Sequence, residues 1–202
     1  MREFIRELDG LSGSGKQKMV LEAAAASRTS LASFFDRGSE AVSGLLRACR
    51  AQTRPVKPEA LGVIGAEHLL RYCLSDGAAE ETFQYRKHLG TIEEVPYVIE
   101  AAFAYCPDED DDQETASGLM ITAGVNFSTV IGSPFERLSP FESLRGVLSG
   151  RHVNVNDPVV VVLHYTCPRV DFADRGKGTL ALPGDVGRTI IKMIEAVTKK
   201  WE

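Results

Sequence analysis

Two lysines in this chain of 202 residues sit among glycines in the manner of phosphate-contacting residues. Lys16 closes the run Gly10-Leu-Ser-Gly-Ser-Gly15-Lys16-Gln17, one residue short of the G-x-x-x-x-G-K-S/T loop. In that loop backbone N–H groups cradle phosphates and the final hydroxyl holds magnesium, and a strand must come first. Here the preceding segment is charged and helix-forming, and Gln17 replaces the hydroxyl. The run therefore reads as a Gly/Ser turn ahead of a helix. Lys177, in Asp174-Arg175-Gly176-Lys177-Gly178-Thr179, follows the longest apolar segment of the chain, and such a loop carries a lysine beyond a sheet edge. A lysine ammonium there is a compact point charge able to meet a terminal phosphate from another domain. By composition alone Arg175 and Lys177 are solvated turn residues.

Other reactive side chains are dispersed. His164 lies inside an apolar run with no His, Cys or carboxylate at ligand spacing, which predicts a structural histidine with a satisfied hydrogen bond. Cys49, Cys73, Cys106 and Cys167 form no close pair and read as buried, reduced thiols. The acidic run Asp108 to Asp112 lacks the central glycine and closing glutamate of a calcium loop, and reads as a solvated hairpin tip. With no G-x-S-x-G, H-E-x-x-H or dinucleotide glycine fingerprint, no self-contained catalytic site and no metal site is spelled out.

The elements that must position these residues change character along the chain. Residues 1 to about 75 carry helical signals: Phe4, Ile5 and Leu8 on one face, helix formers from Lys18 to Ala26, then Leu31 to Phe35 and Val42 to Cys49. Arg54-Pro-Val-Lys-Pro58 breaks the pattern before short helices at Glu59 to Leu61 and Glu67 to Leu74. Beyond residue 78 the period becomes two-fold. Tyr97 to Tyr105 and Leu119 to Phe127 read as two half-buried strands joined through Cys106 to Gly118. Val159 to Cys167 is apolar enough to need cover on both faces, and Ile190, Ile194, Val197 and Trp201 mark one helix packed on a sheet. The expected organisation is α+β: a helical module over residues 1–78 and a sheet domain over 79–202.

At 44% hydrophobic and 25% charged, the chain can bury a substantial core. Its net charge of -5 argues against a generic polyanion binder, but Met1 to Lys57 holds 10 basic and 6 acidic residues. Lys16, Lys18, Arg28, Arg47, Arg50 and Arg54, together with Arg2 and Arg6, are the candidates for nucleic-acid contact on that part. No stretch approaches the roughly 18 apolar residues of a membrane span. The N-terminus has no apolar centre of a signal peptide, so the expected location is cytoplasmic, away from membranes.

Three segments taken together resemble a known family. Pro96-Tyr-Val-Ile-Glu-Ala-Ala-Phe-Ala-Tyr105, Gly124-Val-Asn-Phe-Ser128 and Val159-Val-Val-Val-Leu-His-Tyr-Thr-Cys167, leading into Gly176-Lys177, are similar in order and spacing to the transducer domain of topoisomerase VI B-like subunits of type IIB DNA topoisomerases. Leu11 to Lys18 and Pro58 to Gly65 look like the helix-two-turns-helix module that precedes it there. The resemblance implies a mostly antiparallel sheet with packed helices and a left-handed βαβ crossover, an exception to the usual hand. It implies that Lys177 is the switch-loop lysine that reaches the γ-phosphate, with Arg175 beside it, although Asp-Arg-Gly-Lys-Gly replaces the family's Ser-x-Gly-Lys-Glu.

The metal-binding Glu-x-x-x-Asn helix and glycine-rich lid of the family's GHKL ATPase domain do not occur in these residues. ATP and magnesium are therefore expected through a GHKL domain in cis or trans, with no cofactor on the isolated chain, which is expected to be a monomer, or at most a weak dimer, and without activity alone. DNA and a topoisomerase VI A-like subunit are the further partners implied. The alternative reading is a free-standing nucleic-acid-binding module that uses the basic helical part.

Overall fold

The computed structural model describes residues 1–107, 118–129 and 132–201, in two compact units, Met1–Val56 and Lys57–Glu202. The first unit is helical: α1 (Arg2–Arg6), α2 (Ser14–Ala23), α3 (Leu31–Phe35) and α4 (Ser39–Arg50). Ser30 caps α3 by accepting the Ser33 N–H at 3.1 Å, which satisfies one of the helix's orphan donors. Short helices are marginal alone, and these are held by a shared core of Ile5, Leu11, Val20, Leu21, Phe34, Leu45 and Cys49.

The second unit begins with a 3-10 turn at Pro58–Leu61 and α5 (Ala66–Ser75). The strands are β1 (Gln84–Ile92), β2 (Val95–Tyr105), β3 (Met120–Val125), β4 (Ser128–Thr129) and β5 (Val159–Thr166); α6 (Leu144–Gly150) precedes β5 and α7 (Gly184–Val197) ends the unit. Strand order is β1-β2-β5-β3-β4, with three antiparallel pairings and one parallel pairing between β3 and β5. The result is the expected α+β arrangement of a helical module followed by a mostly antiparallel sheet with packed helices, and the parallel β3–β5 pair is bridged through α6.

Side-chain parity sorts the sheet into two faces. Ile99, Ala101, Phe103, Val161, Leu163 and Tyr165 pack with α6 and α7, while Ala102, Ala104, Val160 and Val162 pack with Leu69 and Cys73 of α5. All eight residues of β5 are buried, as its composition requires. α7 comes so close to the 138 loop that an added Cβ at Gly187 would stand 1.7 Å from the Leu138 carbonyl oxygen, so only glycine fits there.

Several expectations change. The helical residues 57–78, assigned by sequence to the N-terminal module, lie in the same compact unit as the sheet, and α5 covers it. β2 and β3 do not pair as a hairpin, because β5 inserts between them and thereby covers both its own edges. The acidic run at 108–112 lies outside the described residues. β2 is buried on both faces rather than half-buried, since it lies between neighbouring strands and under helices on each side. α7 stops at Val197; the buried Thr198 hydroxyl donates to the Ile194 carbonyl at 2.8 Å, and Trp201 beyond it donates to the His152 carbonyl. β1 is an addition, joined to β2 through Glu93 and Glu94, both at positive φ.

Candidate functional site

Cross-strand register builds the first cluster. Glu100 of β2 lies opposite His164 of β5, which lies opposite Gly124 of β3, all on the α5 face. Both polar side chains are buried. The Glu100 carboxylate accepts four hydrogen bonds: Ile64 N–H at 2.8 Å, Gly65 N–H at 2.7 Å, the Tyr85 hydroxyl at 2.8 Å and His164 Nδ1 at 3.0 Å. Gly65 is the N-cap of α5, so the anion also faces the positive end of that helix.

His164 Nε2 accepts the Phe127 N–H at 3.1 Å. An accepting Nε2 carries no proton, which places the proton on Nδ1 and makes it the donor to Glu100. Burial would raise the Glu100 carboxyl, but the bonds from His164, Ile64, Gly65 and Tyr85 outweigh it and hold the group at about 2. Burial and the neighbouring carboxylate together push the Tyr85 hydroxyl up. With every lone pair engaged and no access to solvent, the pair is a clamp joining the start of α5 to the two inner strands, and not a general base.

The expectation of a satisfied structural histidine at His164 agrees with this geometry. Glu100 is the residue that sequence reasoning missed. It lies in the Tyr97 to Tyr105 segment read as a half-buried strand, and the available signal was a lone carboxylate within an otherwise apolar run, with no partner nearby in sequence.

Asn126 continues the network. Its side-chain amide donates to the Cys167 carbonyl at 3.1 Å, and its oxygen accepts the Cys167 N–H at 2.9 Å, so the β3–β4 turn is fastened to the end of β5. The chain then enters an arm closed by a Phe172–Leu180 bridge and by Ala173 N–H to Thr179 O at 2.9 Å. Leu180 roots this arm in the core.

At the arm's tip Asp174 accepts the Gly178 N–H at 3.1 Å and the Thr179 N–H at 2.8 Å, and these bonds hold its carboxyl below the usual range. Lys177 is exposed at φ +55, with Nζ 5.9 Å from the Phe172 ring centre. Arg175 is exposed in the same tip.

The remaining candidates lie in the first unit. Lys16 Nζ donates to the Gln52 carbonyl at 2.8 Å, and the buried Gln17 amide donates to the Leu11 and Ser12 carbonyls at 2.8 and 3.1 Å. α1, not a strand, precedes this loop. Both residues that imitate the phosphate loop are thus engaged in fastening it. Lys16 also lies beside the C-terminal end of α4, whose last turn carries Arg47 and Arg50; cations there complement the helix dipole. Lys18 pairs with Glu22 at 3.8 Å on the surface, and Arg28 and Arg54 are exposed. The four cysteines are buried and free. Among the described residues no group of three or more His, Cys, Asp or Glu is placed to hold a metal, and no helix is long and apolar enough to cross a membrane.

No protein-family model matches the chain, and no curated protein sequence does. Remote structural similarity links it to the B-subunit of the DNA gyrase from Myxococcus xanthus, with TM-score 0.36 and 17% identity over 58% of this chain and 34% of that one. A second solved structure, the topoisomerase IV ATP-binding domain of Francisella tularensis in complex with a small-molecule inhibitor, gives TM-score 0.27 and 12% identity over 67% of this chain and 41% of that one. The chain spans less than half the length of each of these two solved structures.

Proposed function

We propose that this chain is the transducer portion of a topoisomerase VI B-like GHKL ATPase, coupling nucleotide binding and hydrolysis in a separate domain to conformational change. The observation that supports it is the placing of Lys177: a lone exposed ammonium on the tip of an arm that is rooted in the core by Leu180. Its loop carries the Gly-Lys pair of the resemblance, and its anchor at Cys167 is fastened through Asn126 to the β3–β4 turn. Lys177 supplies one cation to a γ-phosphate held, with magnesium, by the other domain. A contact present with ATP and lost with ADP makes the angle between the domains depend on the nucleotide. The sheet then carries that change onward, to DNA and a topoisomerase VI A-like subunit as the output partners.

Steady-state ATP turnover of the chain joined to its ATPase domain tests the reading. Lys177→Ala should lower turnover by about a hundredfold, as loss of one charge-stabilising donor does, while Lys16→Ala leaves it unchanged. The opposite pattern, or micromolar ATP binding by the isolated chain in calorimetry, overturns the proposal. DNA binding that weakens steeply with salt and is indifferent to nucleotide would favour the basic helical unit as the working part.

A further inference from the structure

Next to the Glu100–His164 pair the α5 face of the sheet is open. α5 covers β2 and β5 through Leu69 and Cys73, and a cleft separates its His68–Tyr72 side from Thr122, Gly124 and Phe127 on the β3–β4 side. The space left is a cleft of about 400 Å³, within the range of small-molecule sites. Its depth depends on Gly124, where an added Cβ would stand 3.2 Å from His164 Cδ2.

Three features define what the cleft can hold. The first is Phe127, 54% exposed at the rim, with its ring 5.0 Å from the His164 ring and its N–H bonded to His164 Nε2. Asn126 and Phe127 form the two-residue turn between β3 and β4, at φ +49 and +63. Glycine is the residue such a turn prefers at its second position, so the phenylalanine is kept against its own backbone preference. The turn thereby presents a fixed aromatic face to the cleft.

The second feature is a hydroxyl pair, Tyr72 and Thr122, 2.7 Å apart. One hydrogen is shared between them and Asp76 also engages the Tyr72 hydroxyl, which leaves spare lone pairs to accept from a neutral donor group. The third is charge. No Lys, Arg, Asp or Glu lines the cleft, whose lining histidines are His68 and His164, and two carboxylates lie near it: Glu100 directly behind His164, and Asp76 beside the Tyr72 hydroxyl. Phosphates and carboxylates therefore meet no lysine or arginine and face nearby negative charge.

We infer that this cleft is a binding site for a neutral, flat aromatic or heteroaromatic ring of one or two fused rings, stacked on Phe127 and hydrogen-bonded to Tyr72 and Thr122. The inference does not depend on the role given to Lys177.

Indole is the probe, followed by backbone amide NMR shifts, with indole-3-carboxylate as its anionic counterpart. Saturable shifts at Thr122, Gly124 and Phe127 are expected with indole, and binding of the carboxylate should be at least about tenfold weaker. Phe127→Gly should weaken indole binding about tenfold or more, the loss of a stacked aromatic pair, without lowering the melting temperature, because glycine suits the turn. Tyr72→Phe should weaken it less, and Phe141→Ala, at a 97% exposed site elsewhere, should not change it. Indole shifts that do not saturate, equal binding of the carboxylate, or unchanged binding in Phe127→Gly each overturn the inference.

Discussion

Glu100 Oε2 and His164 Nδ1 lie 3.0 Å apart on adjacent strands, and the same carboxylate accepts the Ile64 and Gly65 N–H groups at the start of α5. One side chain therefore holds a helix end, two strands and, through His164, the β3–β4 turn. Glu100→Gln exchanges an accepting oxygen for a donating amide that faces donors, which leaves at least one buried group unsatisfied. The expected loss is about 3 kcal/mol in urea unfolding followed by far-ultraviolet circular dichroism. A loss below about 1 kcal/mol would show that water replaces these bonds.

The same carboxylate sets an acid limit. Its pKa is held at about 2 in the folded chain against 4.5 unperturbed, so between those values the unfolded chain binds the extra proton. The stabilisation is complete above pH 4.5 and is lost as pH falls toward 2. The urea midpoint of the parent should drop through this window. In Glu100→Gln the acid slope should be shallower, and an identical slope would assign acid unfolding to other carboxylates.

Gly187 and Gly44 should respond to alanine in opposite directions. Gly187→Ala drives a methyl into the Leu138 carbonyl and should cost about 3 kcal/mol, through overpacking that moves α7. Gly44 lies within α4 with nothing within 4 Å of its added Cβ, so Gly44→Ala should gain up to about 1 kcal/mol of helix propensity. Thermal unfolding of the two variants reads the difference directly.

Lys16 and Lys177 should differ in what each contributes to stability. Lys16→Ala removes the bond to the Gln52 carbonyl and should destabilise the helical unit by about 1 kcal/mol. Lys177→Ala removes a long-range ring contact on an exposed tip and should change stability by no more than about 0.5 kcal/mol. Chemical denaturation of the isolated chain checks both, independently of any nucleotide. A destabilisation above 1 kcal/mol in Lys177→Ala would make it a structural residue of the arm.

What the sequence shows by itself is whatever its local periodicity encodes. The run from Val159 to Thr166 has no polar alternation, and a strand of that composition must lie between others under helices; β5 does. The amphipathic spacing of Ile190, Ile194 and Val197 fixes α7, and the missing hydroxyl at Gln17 is enough to argue against the phosphate-loop lookalike at Lys16. One strand goes unread where a turn lacks its usual residues. β1 carries Arg86, Lys87 and His88 and is joined to β2 by Glu93-Glu94 instead of glycine, so neither its composition nor its turn marks a hairpin.

Tertiary structure decided the rest, and the reason is distance along the chain. The partner of Glu100 is 64 residues away, and its backbone donors Ile64 and Gly65 are 36 and 35 residues away in the opposite direction. A carboxylate in a strand looks solvent-facing until long-range pairing supplies donors enough to offset its burial. The same holds for the insertion of β5 between β2 and β3, which converts an apparent hairpin into two flanks of a central strand and leaves the cleft beside Phe127. Local patterning sets which residues become strands and helices; which strand lies beside which is set by the collective burial of β5, and no window of sequence contains that information.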